Sequence, residues 1–268
     1  MDFSLDIVIS AFVEIFAVET IRYMVVAALI LGVISLFITA KSPRNLHADP
    51  PTREQKWREF RYSMLTCAIF ALNGLYIFFG IEGGWVKIYD DPADYGALYW
   101  VISFVALVLA HDAWFYWTHR LLHMPWMFRR VHHLHHKSQQ PTVWAAYAFA
   151  PFEAFINGTL VPIFVTLVPI NGWAVFLFLA HMMLRNVMGH SGYELFPRYM
   201  PGNRLFGFFT NVYHHDLHHR DIERGNYGLY FVWWDRLMGT EHPDYTDLVN
   251  NQRQARQASA TPSNQQSL

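Results

Sequence analysis

The chain consists of long apolar runs separated by short polar connections, and histidine gathers where those runs end. Residues 3–19 are apolar but interrupted by Asp6, Glu14 and Glu19. Those acids predict an interfacial or bent lead-in helix rather than a span. Tyr23 to Ala40 is an uncharged run of 18 residues, with Arg22 before it and Lys41 after it. A bilayer core of ~30 Å takes about 20 helical residues, so this run predicts the first span. A polar connection with Pro43, Pro50 and Pro51 follows. Tyr62 to Ile81 then predicts the second span, and about Ala97 to Trp117 the third. Between Pro141 and Leu184, 44 residues, the one charge is Glu153. That length suits two helices, near 149–168 and 173–189, with Pro169 and Asn171-Gly172 supplying the turn. The pattern thus predicts an all-α integral membrane protein of about four transmembrane helices, with a helical cap at one end. The domain is expected over 1–249. The tail 250–268 is rich in Gln, Ser, Ala and Asn, lacks aromatics, and is expected to be disordered.

Composition agrees with a membrane protein. The 268 residues are 53% hydrophobic and only 15% charged, against about 25% charged in a typical soluble domain. The connection 41–61 carries Lys41, Arg44, Arg53, Lys56, Arg58 and Arg61, whereas 82–96 has Lys87 against Glu82, Asp90, Asp91 and Asp94. The excess of Lys and Arg predicts that 41–61 is cytoplasmic. The expected location is the bacterial inner membrane or the endoplasmic reticulum. A net charge of −1 gives no electrostatic case for nucleic acid. The single cysteine, Cys67, excludes a thiolate-ligated metal site and an internal disulfide. No secretory signal with a charged start and a small-residue cleavage site is expected.

The candidate chemistry lies in the histidines. Seven of 15 fall between His111 and His136, and four more in YHHDLHH at 213–219. His119 and His123 are spaced i, i+4. His132, His135 and His136 are spaced i, i+3, i+4, and so are His215, His218 and His219. On a helix such spacing puts the side chains on one face, so each triplet is expected to aim its imidazoles at one point. Neutral imidazole binds iron, zinc, copper and nickel. Eight such ligands are too many for one metal in an open site, whereas two metals share them. Nitrogen ligands without thiolate suggest a redox di-metal site more than structural zinc. The alternatives are a surface metal-binding tract and a non-catalytic membrane metal carrier. The interleaved Trp, Phe, Leu and Arg count against the tract. The placement of every cluster at one face counts against the carrier.

From HDAWFYWTHRLLH and VHHLHH through GHSGYELFP and HHDLHH to GNYGLYFVWWDRLMGT, roughly 100–240, the chain resembles the fatty acid hydroxylase/sterol desaturase superfamily of membrane di-iron oxygenases. The family's HxxxH, HxxHH and HxxHH boxes fall on His119 and His123; on His132, His135 and His136; and on His215, His218 and His219. The HSGYE stretch is similar to that of sterol methyl oxidases, which makes His190 a ninth ligand. The resemblance implies two iron ions, which zinc can replace on overexpression. It also implies O2 as oxidant and a lipid-like substrate entering from the bilayer. Hydroxylation is the expected reaction and desaturation the alternative. No cytochrome b5 module is recognised, so electrons are expected from a separate donor of ferredoxin or cytochrome b5 type with its reductase.

Four further residues are candidates to hold the ligands in place. Asp112 and Glu153 are placed to accept the second N–H of a ligating imidazole. Asn186, four residues before His190, is expected to support it. Asp216, and more weakly Asp235, complete the set. His133 and His214 point about 100° away from their boxes. His111 and His181 lie too far along their helices, and His47 and His242 fall in loops. Arg120, Arg129 and Arg130 are read as cytoplasmic anchors.

Overall fold

The computed structural model describes residues 4–38, 42–47 and 49–260. Helix α1 runs Leu5–Phe37, α2 Arg53–Gly83 and α3 Gly96–Leu122. A broken segment follows: α4 at Pro125–Met127, a π-helical turn at Phe128–His132, and α5 at His133–His136. Then come α6 at Pro151–Gly158, α7 at Leu160–Leu167 and α8 at Gly172–Gly189. The chain continues through α9 at Val212–Arg220 and α10 at Trp233–Met238 to α11 at Pro243–Ala260. Among the described residues four helices, α1, α2, α3 and α8, are long and apolar enough to cross a membrane. Leu29, Leu36, Leu98 and Val101 stand exposed on them, as lipid-facing side chains do.

Residues 5–37 form one continuous helix, not a lead-in followed by a span. Asp6 and Glu14 are exposed at its surface. Glu19 pairs with Arg22 one turn on, which removes the reason to break there. The apolar runs also understate the helices. α2 starts at Arg53, where Thr52 accepts the amide of Gln55 at 3.1 Å, and ends at Gly84 in the left-handed region. Its polar first turns lie beyond the apolar run and reach into the cap. The helix expected near 149–168 is divided at Thr159 into α6 and α7. Pro162 has no amide for the carbonyl of Gly158, and its ring crowds that carbonyl. Residues 250–260 continue α11, where a disordered tail was expected. Gln, Arg and Ala there are good helix formers. The remainder, 261–268, lies outside the described residues, as does the end of the first apolar run at 39–40.

Small residues let the helices approach. Ala27, Cys67 and Ala71 are fully buried, the first two in a core shared with Tyr23 and Tyr147. A Cβ on Gly74 of α2 would come within 2.7 Å of Ile15 on α1. Such contacts are how helices pack where water provides no drive. At the far end of the bundle a two-residue parallel pairing joins Ile88 to Ile170 and Tyr89 to Asn171. Asn171 caps α8 by accepting the amide of Trp173 at 3.0 Å, and donates to the carbonyls of Tyr89 and Asp90. That end is tied down, and the histidines occupy the other.

Candidate metal centre

The cap is held to the bundle by specific bonds. On α2, Gln55 donates to the Gln140 carbonyl at 2.8 Å, Arg58 to Ser138 Oγ at 3.2 Å, and Ser63 to the Trp144 carbonyl at 2.8 Å. The segment 138–144 is thereby fixed over the histidines. From the other side, the Asn226 amide donates to the His214 carbonyl and its Oδ1 accepts the amide of His242. Asn226 itself sits at φ 59°. Its neighbour Gly225, at φ +101°, leaves no room for a Cβ, which would lie 1.9 Å from the Thr240 carbonyl.

The nine sequence-predicted histidines come together, but not box by box. His119, His123, His132, His136 and His218 form one group, and His135, His190, His215 and His219 a second. Within each group one ring nitrogen per residue lies within 4.8 Å of the others. Each triplet is therefore split, contrary to the expectation that it converges on one point. The i, i+4 pairs His132/His136 and His215/His219 stay together, while His135 and His218 cross to the opposite group. The π turn at Phe128–His132 leads into the α-helical turn His133–His136, where His132 and His136 share one face and His135 lies toward His190, 5.1 Å between ring centres. Eight of the nine are buried, and His123 is half-buried. His133 is exposed.

Hydrogen bonds fix which nitrogen faces inward. The Nδ1–H groups of His119, His190, His218 and His219 donate to the carbonyls of Tyr227 (3.0 Å), Asn186 (2.8 Å), Gly225 (2.7 Å) and Ser138 (3.0 Å). His132 Nδ1 donates to Glu153 Oε1 at 2.7 Å. A ring that gives its proton to oxygen from Nδ1 presents a bare lone pair at Nε2. Yet His119 Nε2 and His132 Nε2 are 3.1 Å apart. His190 Nε2 lies 3.0 Å from His215 Nε2 and 3.3 Å from His135 Nε2. The inward nitrogens of His218 and His219 are buried without a partner. His119 and His132 thus face each other as two acceptors, which repel unless a cation lies between them. A metal ~2.1 Å from each nitrogen sets neighbouring nitrogens ~3.0–3.4 Å apart, which is the observed spacing. The residues fit two metal ions.

The surroundings keep these rings neutral. Burial first, then the neighbouring imidazoles, hold His132, His135, His136, His215, His218 and His219 well below their ordinary 6.5. Burial takes His190 down to about 4, against its bond to the Asn186 carbonyl. Neutral imidazole is the form that ligates.

The supporting residues divide. Glu153 touches His132 directly. Asn186 supports His190 through its backbone carbonyl, while its side chain donates to the Ala146 carbonyl at 2.8 Å. Asp112 does not reach a ligating imidazole. It accepts the amides of Tyr230 and Phe231 and the indole N–H of Trp233, because the chain 230–233 crosses α3 at that level. Asp216 faces away from the groups, toward His47 Nε2 at 2.9 Å. Asp235 accepts the amides of Tyr227 and Gly228 and the hydroxyl of Thr240, and so shapes the loop that offers its carbonyls to His119 and His218. His214, buried, lies 3.5 Å from Asp235 rather than in either group. Sequence reasoning missed Ser138, Gly225 and Tyr227, since their carbonyls do the work and any residue has one. Gly225-Asn226 was the available signal, a pair suited to a tight turn.

An apolar cavity of about 330 Å³ abuts the centre from the membrane side. Phe115 and Phe149 line it, 5.0 Å from His119 and 5.1 Å from His135 between ring centres. Asn186, whose carbonyl holds His190, lines it too.

These features define a helical protein with membrane-spanning helices and two adjoining histidine groups able to hold metal ions, beside an apolar cavity from which Phe115 and Phe149 separate them. The profile of the family described as fatty acid hydroxylase matches residues 104–240, and the chain belongs to that family, within the fatty acid hydroxylase/sterol desaturase superfamily. It is 30% identical over 196 residues to a Delta(7)-sterol 5(6)-desaturase, ERG3B, of Gibberella zeae, covering 73% of this chain and 59% of that protein. It is 36% identical over 133 residues to methylsterol monooxygenase 1 of Rattus norvegicus, covering 48% and 43%. To lathosterol oxidase of Mus musculus it is 29% identical over 197 residues, covering 71% and 63%. The chain thus spans less than two thirds of the length of each. No solved structure matches it.

Proposed function

We propose that this chain is an O2-dependent membrane oxidoreductase that hydroxylates a sterol or another long hydrophobic substrate, with one iron ion in each histidine group. The carrying observation is that one apolar cavity touches side chains packed on both groups. The names of the relatives, sterol desaturase, methylsterol monooxygenase and lathosterol oxidase, support a sterol-like substrate and an oxidative reaction.

Two irons, when bound, supply O2 activation and cleavage of a C–H bond that no side chain can attack. His119, His123, His132, His136 and His218 would hold one, and His135, His190, His215 and His219 the other. The protein contributes orientation. Glu153 and the carbonyls of Ser138, Asn186, Gly225 and Tyr227 lock five imidazoles with Nε2 inward. Phe115 and Phe149 form the wall against which a substrate carbon comes to rest, and the apolar lining excludes water. Desaturation at the same site is the second reading, favoured by the relatives named desaturases.

Electrons come from a separate donor of ferredoxin or cytochrome b5 type, and Arg129 and Arg130, exposed beside the second box, give it a positive face. The six basic residues of 41–61 support a cytoplasmic cap, in the bacterial inner membrane or the endoplasmic reticulum. A metal carrier would spread its ligands across the bilayer, whereas these gather at one end. The test uses iron-loaded protein in lipid nanodiscs with ferredoxin, its reductase, NADH and a Δ7-sterol. A product heavier by one oxygen supports hydroxylation, and one lighter by two hydrogens supports desaturation. NADH oxidation with neither product contradicts both.

A further inference from the structure

The cavity wall contributed by α1 and α2 is polar at one place. Glu19 and Arg22 pair there, with side chains only 12% and 13% exposed. Asn73 of α2 lines the same cavity. Arg22 Nε and Asn73 Nδ2 are both buried without a hydrogen-bond partner. The amide of Asn73 is wedged against α6, since a Cβ on Gly158 would come within 2.0 Å of its Nδ2. A charged pair and an amide side chain on the wall of an otherwise apolar cavity are costly to leave facing hydrocarbon, so this place calls for an oxygen-bearing ligand.

The charge balance says which oxygen. Arg22 is already neutralised by Glu19, so a carboxylate would bring an uncompensated negative charge into a low-dielectric site. A hydroxyl brings none. It accepts from the Arg22 guanidinium or the Asn73 side-chain amide and can donate to the Glu19 carboxylate. α1 and α2 carry none of the nine histidines, so this contact stands apart from the metal groups. On α8 the cavity lining extends from Val175 to Asn186, ~16 Å along the helix axis. An elongated molecule held at the polar place is thereby set in register against Phe115 and Phe149.

We propose that Arg22 and Asn73, balanced by Glu19, form a specificity-determining anchor for the hydroxyl group of an otherwise apolar substrate, and so fix which carbon is oxidised. This rests on the oxygenase reading given above. The test is equilibrium binding of radiolabelled probes to metal-loaded protein in nanodiscs. The probes are a 3-hydroxy Δ7-sterol, its 3-deoxy analogue and its 3-O-methyl ether. Wild type should prefer the alcohol to the deoxy compound by on the order of tenfold or more, with the ether between them. Replacing Glu19→Leu and Arg22→Leu together should reduce that preference to about twofold with metal content unchanged. Asn73→Ala should reduce it partly. Equal binding of alcohol and deoxy sterol to wild type overturns the anchor and leaves the oxygenase reading standing. So does a preference that survives the double substitution. If no sterol binds while a fatty acyl lipid does, the sterol reading falls and the anchor with it.

Discussion

The two histidine groups are built from the same short motifs and are not alike. The five-histidine group takes i, i+4 pairs from α3 and from 132–136, and a single ligand, His218, from α9. Glu153, an anion when ionised, sits behind His132, and two loop carbonyls sit behind His119 and His218. The four-histidine group has one i, i+4 pair, His215 and His219, with His135 and His190 supplied singly from other elements. The carbonyls of Asn186 and Ser138, which hold His190 and His219, are neutral. A carboxylate behind a ligand raises its basicity and fixes its orientation. The first group is therefore the more firmly set. The second offers one histidine fewer and borders Asn186 at the cavity end. Because His135 and His136 are neighbours in sequence but serve opposite groups, neither site can form without the other's backbone in place.

The largest effects should come from removing one ligand on each side. His218→Ala and His135→Ala should each lower turnover by more than 100-fold, beyond the ~10–100-fold typical of a supporting residue. Their metal losses should differ, His218→Ala emptying the five-histidine group and His135→Ala the four-histidine group. Identical loss from both groups in both variants would erase the distinction. Next comes Glu153→Gln, expected to weaken metal binding at the five-histidine group by roughly 10–100-fold. Metal titration should show the other group unchanged.

Much of this centre was legible in the chain. Spacing alone brought out the HxxxH and HxxHH boxes, and charge-poor runs located the spans. The partition was not legible, because which metal group each imidazole meets depends on how 132–136, α3, α8 and α9 pack together, and the regular helix α9 divides its box in the same way. Helical-face reasoning put His132, His135 and His136 on one target, while the structure divides them. It did leave His133 outside, where the structure has it exposed. Asp112 was read as a ligand support because it lies seven residues before His119, on nearly the same helix face. The partners turned out to be backbone amides 118 and 119 residues away, which no local pattern reveals.

Smaller effects sharpen the picture. Gly225→Ala forces a Cβ against the Thr240 carbonyl at a positive φ. It should destabilise the fold by about 1–3 kcal/mol, read as a lower unfolding temperature in detergent. The same loop carries the carbonyls behind His218 and His119, so the five-histidine group should weaken with it.

Acid should act through the buried rings. Their values in the fold lie below the ordinary 6.5, so the unfolded chain takes up more protons as pH falls. Stability of the metal-free protein is then fully present above ~6.5 and declines below it, by about 1.4 kcal/mol per histidine per pH unit. The decline continues toward folded-state values such as about 4 for His190. Chemical unfolding at pH 7.5 and 5.5 checks this, and equal stability at both would contradict it. The smallest effect belongs to His133→Ala, which should keep metal content and turnover within about twofold, since an exposed ring away from both groups contributes little.

The most direct measurement is metal content per chain in purified wild type, set beside the two ligand variants. Two equivalents in wild type, and close to one in each of His218→Ala and His135→Ala, is the expected result. A single equivalent in fully active wild-type protein would contradict the division of nine histidines between two metals.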